Sequence, residues 1–442
     1  MVLKNSDDHT LKIVCAFATS YYAILFYGSS VRCKMLITFT LENWMSFRDR
    51  VVFSMIPSRE RKHGDRVPKI CKYNGRILPI TVIYGGNASG KTNFFNALSF
   101  AKAFIVKGTQ PENLIRVEPF RLDDSFLDKP SWFSFELLIG EIIYEFSFAV
   151  TRKLVLEEKL VVTTSSSEKV LYHRHDGRIN FHSSVEDGFL AFAFQGTRDN
   201  QLFLTNAVSQ KVDKFKPVYD WFKNSLEMVA PDSRFGPFEQ FPSEGTLLYE
   251  QMNYMLRKLD TGILHLDWDK IPIENLSLPD SLMDILQEEI KEGETIRLLI
   301  EPNFFCVVTR KDDELIALKL VTCHQKVDGT EVKFDFRRES DGSQRLINLL
   351  PAFLDLATVD SKKVYVIDEI DRSLHTMLTR CLIEVYLAKC NKNSRKQLLL
   401  TTQDLLLMDQ KIFRLDEMWL TERDIDGASN LLSFSEFDTP HA

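Results

Sequence analysis

The stretch Gly85-Gly86-Asn87-Ala88-Ser89-Gly90-Lys91-Thr92 (GGNASGKT) decides how this chain is read. An apolar run, Ile80–Tyr84, precedes it and a helix-like run, Lys91–Phe104, follows it. Strand, glycine-rich loop and helix form the context that the G-x-x-x-x-G-K-[ST] phosphate loop requires. Glycines let the backbone fold tightly, so that successive N–H groups point at phosphate oxygens. The helix start adds a partial positive charge. Lys91 is expected to reach the β- and γ-phosphates, with Asn93 beside them, and the Thr92 hydroxyl to hold Mg²⁺. The bland alternative is a surface loop that happens to carry a lysine.

Composition sets the frame. A chain of 442 residues, 44% hydrophobic and 26% charged, is long enough for two or three core-forming domains. Nothing in the net charge of −7 calls for a nucleic-acid coat, and it leaves room for a local basic patch. Seven cysteines, odd in number and without a C-x-x-C pair, fit reduced thiols in a cytoplasmic protein.

The apolar run Ile13–Tyr27 is shorter than the roughly 20 residues of a membrane span. Asp7 and Asp8 stand where a secretory signal would carry positive charge. Residues 1–34 are therefore expected to be an N-terminal extension or an over-extended start, with Met35 opening the domain. A membrane anchor is the lesser alternative.

Downstream, Leu36–Leu41 and Val51–Met55 read as strands, and Pro57–Lys69 as a charged, solvated loop. After the phosphate-loop helix, Trp132–Ile139, Ile142–Val150, Leu154–Thr163, Lys169–His175 and Arg178–His182 read as an antiparallel meander. His173 and His175 share a face of one strand, but no carboxylate lies nearby at a ligand spacing in the sequence. From about Asp199 the period turns helical, over Asn200–Val208, Val212–Leu226, Gly245–Leu259 and Pro279–Lys291. Strands resume between Thr295 and Arg337. The expected divisions are an N-lobe over 35–198, an inserted helical subdomain over 199–294 and a C-lobe over 295–442.

A phosphate loop needs a second strand that carries an acid to Mg²⁺. Val364–Ile367 supplies it, ending in Asp368 and Glu369. Asp368 is assigned to the metal and Glu369 to accepting a proton from the attacking water. Lys91 and Asp368 stand near opposite ends of the chain, so the site is assembled from both. That layout does not fit a small GTPase or a compact kinase.

Four segments in this order, GGNASGKT, SDGSQR, VYVIDEIDRSLH and LLLTTQD, resemble the ATP-binding-cassette ATPases of the RecF/SMC/OLD branch. They are most similar to the stand-alone antiphage ATPases, RloA-like and PARIS AriA-like. The resemblance covers about Met35 to Phe437. It implies an α/β fold: a two-lobed ABC-type P-loop ATPase with an antiparallel β meander and an inserted helical subdomain. It further implies hydrolysis of ATP with Mg²⁺. Ser340, Asp341 and Gly342 fall at the signature motif, which contacts the γ-phosphate bound on another protomer. Asp371 and His375 fall in the D-loop, and Gln403 at the switch position, where the group usually has histidine. Two departures stand out: the signature reads ESDGSQ, and Gln403 hydrogen-bonds without titrating. Gln110 is the candidate for the Q-loop glutamine.

The resemblance implies partners too: a second copy of the chain, head to tail, in at least a dimer. Beyond that it implies a separate effector nuclease or toxin and a phage trigger protein. The chain ends about 40 residues after Gln403, which leaves no room there for the nuclease domain of OLD enzymes. The first expectation is a nucleotide-dependent sensor or scaffold in an abortive-infection system. The alternative is a RecF-like DNA-binding repair ATPase, with DNA as the partner.

Overall fold

The computed structural model describes residues 33–437, apart from 166, 185–187, 233–245, 260, 277, 293 and 302–303. The expected extension, 1–34, lies outside the described residues except for Cys33 and Lys34. No helix among the described residues is long and apolar enough to cross a membrane.

The chain divides into two compact units. The first holds 234–354 and 373–375, and the second holds 25–233, 355–372 and 376–442; residues 1–24 of the first are not described. The boundaries read at 198/199 and 294/295 do not coincide with this division.

The second unit is built on a six-stranded sheet. Its order is Leu226–Val229, Val364–Ile367, Gln397–Thr402, Ile80–Tyr84, Met418–Arg423 and Ser429–Ser433. The first five run parallel and the last antiparallel. Ile80–Tyr84 lies in the interior of this sheet and all five residues are buried. An unbroken apolar run is what a strand covered on both faces needs.

A seven-stranded antiparallel sheet belongs to the same unit. Its order is Arg178–Phe181, Glu168–His175, Val155–Thr163, Ile142–Val150, Ser131–Ile139, Lys34–Glu42 and Val51–Ser54. The meander expected from the alternating pattern is present strand for strand. Gln397 ties the two sheets together: its side-chain amide accepts from Leu36 N at 2.7 Å and donates to Leu36 O at 2.9 Å.

The phosphate-loop helix, Lys91–Lys107, buries Phe94, Phe95, Leu98, Ala101, Phe104 and Ile105 along one stripe. These are the three- and four-residue spacings of a helix with one covered face. Phe94 meets Phe39 and Phe53 at centroid distances of 5.5 and 5.3 Å, and Phe104 meets Phe148 at 5.8 Å. Each fully buried ring contributes roughly 1.5–3 kcal/mol by area alone. The helix is thereby fixed along its length by the antiparallel sheet.

The helical block is present but not uniform. Phe203–Ser209 and Lys216–Asn224 sit in the second unit, where Trp221 and Phe222 join the main core. Phe222 meets Phe135 edge-on at 4.9 Å. The strand Leu226–Val229 then enters the parallel sheet beside the acid strand. Helices Leu247–Lys258 and Asp280–Glu289 belong to the first unit. That unit has an antiparallel sheet of Ile263–Ile271, Glu314–Gln325, Phe304–Lys311 and Thr295–Glu301, with Glu331–Asp335 pairing to Glu314–Gln325. The strand Ile263–Ile271 (ILHLDWDKI) interrupts the expected helical block. Leu264, Leu266 and Trp268 alternate with His265, Asp267 and Asp269, the period of a strand.

In the charged loop 57–69, Arg59, Arg61, Lys62, Asp65 and Lys69 are exposed, as expected of a solvated run, while Glu60 and Arg66 are anchored. Arg66 is buried against the Glu417 carboxylate. Asp416 accepts from Ser58 N and Ser58 Oγ, and Glu60 accepts from Leu415 N at 2.7 Å. Arg414 holds Asp416 through Nε at 2.8 Å and donates from Nη1 to Lys62 O at 2.6 Å. Arg66 and Glu60 of this loop are held by a turn roughly 350 residues later in the chain, which no local pattern reveals.

Candidate functional site

The site gathers at the carboxyl ends of three adjacent parallel strands. Tyr84 leads into the phosphate loop, Ile367 into Asp368, and Thr402 into Gln403. Register places Ile367 beside Leu400, and Thr402 beside Tyr84. Open α/β sheets bind ligands at these ends.

The loop itself is built around small residues. A Cβ on Gly90 would lie 2.5 Å from Ser429 Oγ, and its φ of 123° excludes most side chains. A Cβ on Gly85 would lie 2.6 Å from Thr421 O. Behind the loop, Ser429 Oγ donates to Ser89 O at 2.6 Å and Thr421 Oγ1 donates to the same carbonyl at 3.1 Å. The Ser46 and Ser429 hydroxyls lie 2.7 Å apart, and Asn93 Nδ2 donates to Ser46 Oγ at 2.7 Å. Trp44 Nε1 donates to Asn93 O at 2.8 Å. Asn93, expected beside the nucleotide, ties the Asn43–Phe47 turn to the start of the helix through these two contacts.

Three features fit a bound polyphosphate. The helix Lys91–Lys107 starts at Gly90 with no side-chain cap, so its first N–H groups lack intrahelical acceptors. Ser89 Oγ is buried without a hydrogen-bond partner. Lys91 Nζ, on a buried side chain, donates to the carbonyls of Gly85 and Gly86 at 2.8 Å each. Burial draws the ammonium below its ordinary pKa, against the opposing pull of Asp368, Glu369 and Asp371. Gly86, Asn87, Ala88 and Thr92 are exposed on the loop's outer side.

The acids are equally ordered. Asp368 is fully buried, and Thr401 Oγ1 donates to its Oδ1. The same hydroxyl accepts from Glu369 N at 2.9 Å. Glu369 has φ of 46°, a conformation that costs a non-glycine residue roughly 1–3 kcal/mol and persists only when its surroundings enforce it. Thr401 enforces it here. This bridging threonine was not read from the sequence; its place two residues before Gln403 on the adjacent strand was the available signal. Gln403 is exposed, just past the end of Gln397–Thr402.

The chain matches the family described as "AAA domain, putative AbiEii toxin, Type IV TA system" over residues 80–409. That span runs from the phosphate-loop strand past Gln403. The chain belongs to this family. Its fold is mixed α/β, with a phosphate-loop motif at residues 85–92. No curated protein matches it. Among solved structures it is similar to the SmcHead bound to the C-winged helix domain of ScpA, at 14% identity and a TM-score of 0.36, covering 90% of this chain and 97% of that one. The SMC head domain from Thermotoga maritima matches at 11% identity and a TM-score of 0.32, covering 90% and 98%. The recombination mediator protein RecF in its ATPrS form matches at 13% identity and a TM-score of 0.33, covering 92% and 100%.

In this AAA-domain protein the remaining sequence candidates fall as follows. Ser340 caps the helix Asp341–Ala357, with Ser343 N donating to Ser340 Oγ at 3.1 Å. Ser340 and Asp341 are exposed. A Cβ on Gly342 would lie 2.8 Å from Ser373 O, so this position admits glycine alone without a backbone shift. Asp371 is half-buried and His375 exposed. Gln110 does not fit the Q-loop role. It lies three residues beyond the helix Lys91–Lys107, and a 17-residue helix spans about 25 Å. Glu157 was missed beside the histidine pair: its Oε1 lies 2.8 Å from His173 Nε2.

Proposed function

We propose that this protein binds and hydrolyses ATP with Mg²⁺ at the GGNASGKT loop and uses the cycle to join and release copies of itself. The observation that carries the reading is the convergence of a braced, uncapped phosphate loop with Asp368 and Glu369 at neighbouring strand ends. Loop N–H groups from Gly86 to Lys91 would cradle the phosphates, and Lys91 would turn from the Gly85 and Gly86 carbonyls to the β- and γ-oxygens. Thr92 and Asp368 offer the oxygen donors that Mg²⁺ takes. Bound there, Mg²⁺ would neutralise charge developing on the transferred phosphoryl group. Glu369, pinned by Thr401, is the base that takes a proton from water. Gln403 orients that water or the γ-phosphate through its amide.

Ser340, Asp341 and Gly342 would complete the site of a second copy, head to tail, with Asp371 and His375 beside the same junction. ATP then favours the assembled state by differential affinity. The biological reading is a cytoplasmic sensor or scaffold of an antiphage abortive-infection system, acting on a separate effector nuclease or toxin after a phage trigger binds. What supports it is family resemblance, and fold likeness alone does not fix function.

The test is the Glu369→Gln variant on size exclusion, with and without Mg-ATP. An ATP-dependent shift to dimer or larger supports the reading; an unchanged monomer that still binds ATP contradicts assembly. DNA-stimulated, salt-sensitive hydrolysis would favour the RecF-like alternative.

A further inference from the structure

We propose that Glu157, His173 and His175 form a binding site for a borderline-soft divalent ion such as Zn²⁺, separate from the nucleotide site. His173 and His175 are two residues apart on the strand Glu168–His175, so they share its outer face. Tyr172 and Arg174, which alternate with them, are buried on the inner face. Glu157 belongs to the neighbouring antiparallel strand and stands directly opposite His175 in register. Its carboxylate reaches diagonally to His173 Nε2, at 2.8 Å. The imidazole centroids are 5.9 Å apart and inclined by 33°. One ligand atom from each of the three residues lies within 4.8 Å of the others.

Tetrahedral coordination at bond lengths of about 2.0–2.2 Å sets ligand atoms about 3.4 Å apart, so the longer separations must close slightly while Glu157 and His173, at 2.8 Å, open slightly. His173 and Glu157 are half-buried and His175 is exposed, so this motion displaces no core. The backbones beneath do not move, because strands pair on both sides of Glu168–His175. Two imidazoles and one carboxylate are the donor set of an open transition-metal site, leaving room for water. The same set selects Zn²⁺, Ni²⁺ or Cu²⁺ over Mg²⁺ and Ca²⁺, which prefer all-oxygen ligands. Lys159 pairs across from His173, and Arg178 from His175. These cations weaken the site, while Asp176, 3.0 Å from His175, offsets them. An ion here would clip two neighbouring strands at the end of the Asp176-Gly177 hairpin.

Untagged protein in excess Mg²⁺, which keeps the nucleotide site occupied, is titrated with Co²⁺ and followed by its visible bands. One Co²⁺ per chain is expected, displaced by Zn²⁺. His173→Ala and His175→Ala each weaken binding by about tenfold or more, and Lys159→Ala does not. Melting curves check that each variant folds, with His175→Asn as the milder replacement. No Co²⁺ bands, or an unchanged affinity in the folded double-histidine variant, overturns the site.

Discussion

Two regions of the larger unit bury carboxylates and put them to different use. Glu417 is held in the interior by the Arg66 guanidinium and by Arg414 N at 3.0 Å. Asp368 is as fully buried, but it stands at the carboxyl edge of the parallel sheet and is bridged by Thr401 to the Glu369 backbone. The first carboxylate closes a structural turn against a loop distant in sequence. The second faces the end of the sheet where the phosphate loop begins. Burial alone does not distinguish the two carboxylates; position on the sheet and the company of a strained neighbour do.

That contrast can be broken at either end. The largest effect is expected at Glu369: conversion to Gln should cut ATP turnover by at least about 100-fold while leaving ATP binding intact, the range of general-base loss. Steady-state phosphate release alongside equilibrium binding checks both halves. At the structural end, Arg66→Ala leaves Glu417 buried without its guanidinium, and removing one member of a buried pair costs about 3–5 kcal/mol. Urea unfolding should show that loss, whereas the conservative loss of charge at Glu369 should leave the midpoint nearly unmoved.

Gly90→Ala tests the join between the two regions, since Ser429 brings the C-terminal hairpin onto the loop. The combination of a positive φ and a 2.5 Å approach should cost roughly 1–3 kcal/mol and weaken ATP binding together. A variant of wild-type stability would mean that the loop shifts freely, and the bracing described above would lose its role.

A further effect is a pH dependence. Burial pushes the Glu417 carboxyl up to about 7, against the opposing pull of Arg66. Its folded pKa thus exceeds its ordinary value of 4.5, and the folded state holds the extra proton. Its contribution to stability is complete below about 4.5 and is lost as pH rises through about 7. Thermal melts between those values should fall with pH in the native chain, and Glu417→Gln should flatten that slope.

The strand, loop and helix around GGNASGKT and the strand ahead of Asp368 were legible because their signals are local. The phosphate loop needs its glycines, lysine and hydroxyl in one run, and the acid strand announces itself by four apolar residues before Asp368-Glu369. The meander was legible for the same reason, through period-two alternation and tight turns. What escaped depends on pairing across the chain. Arg66 finds Glu417, Ser46 finds Ser429, and Thr401 bridges Asp368 and Glu369 just past the end of the next strand. Glu157 meets His173 only once the strands are in register. The strand Ile263–Ile271 is a different case: Leu264, Leu266 and Trp268 alternate with polar residues, so its signal was local and was passed over. Gln110 shows the converse error, a plausible residue type carried by a long helix to the wrong end.

The central claim is that Lys91 and the loop around it hold ATP. Equilibrium titration of a fluorescent ATP analogue into the native chain and into Lys91→Ala, both with Mg²⁺, tests it directly. The account predicts saturable binding near one nucleotide per chain, lost in the variant while its melting curve stays cooperative. Equal affinity in both proteins would contradict it.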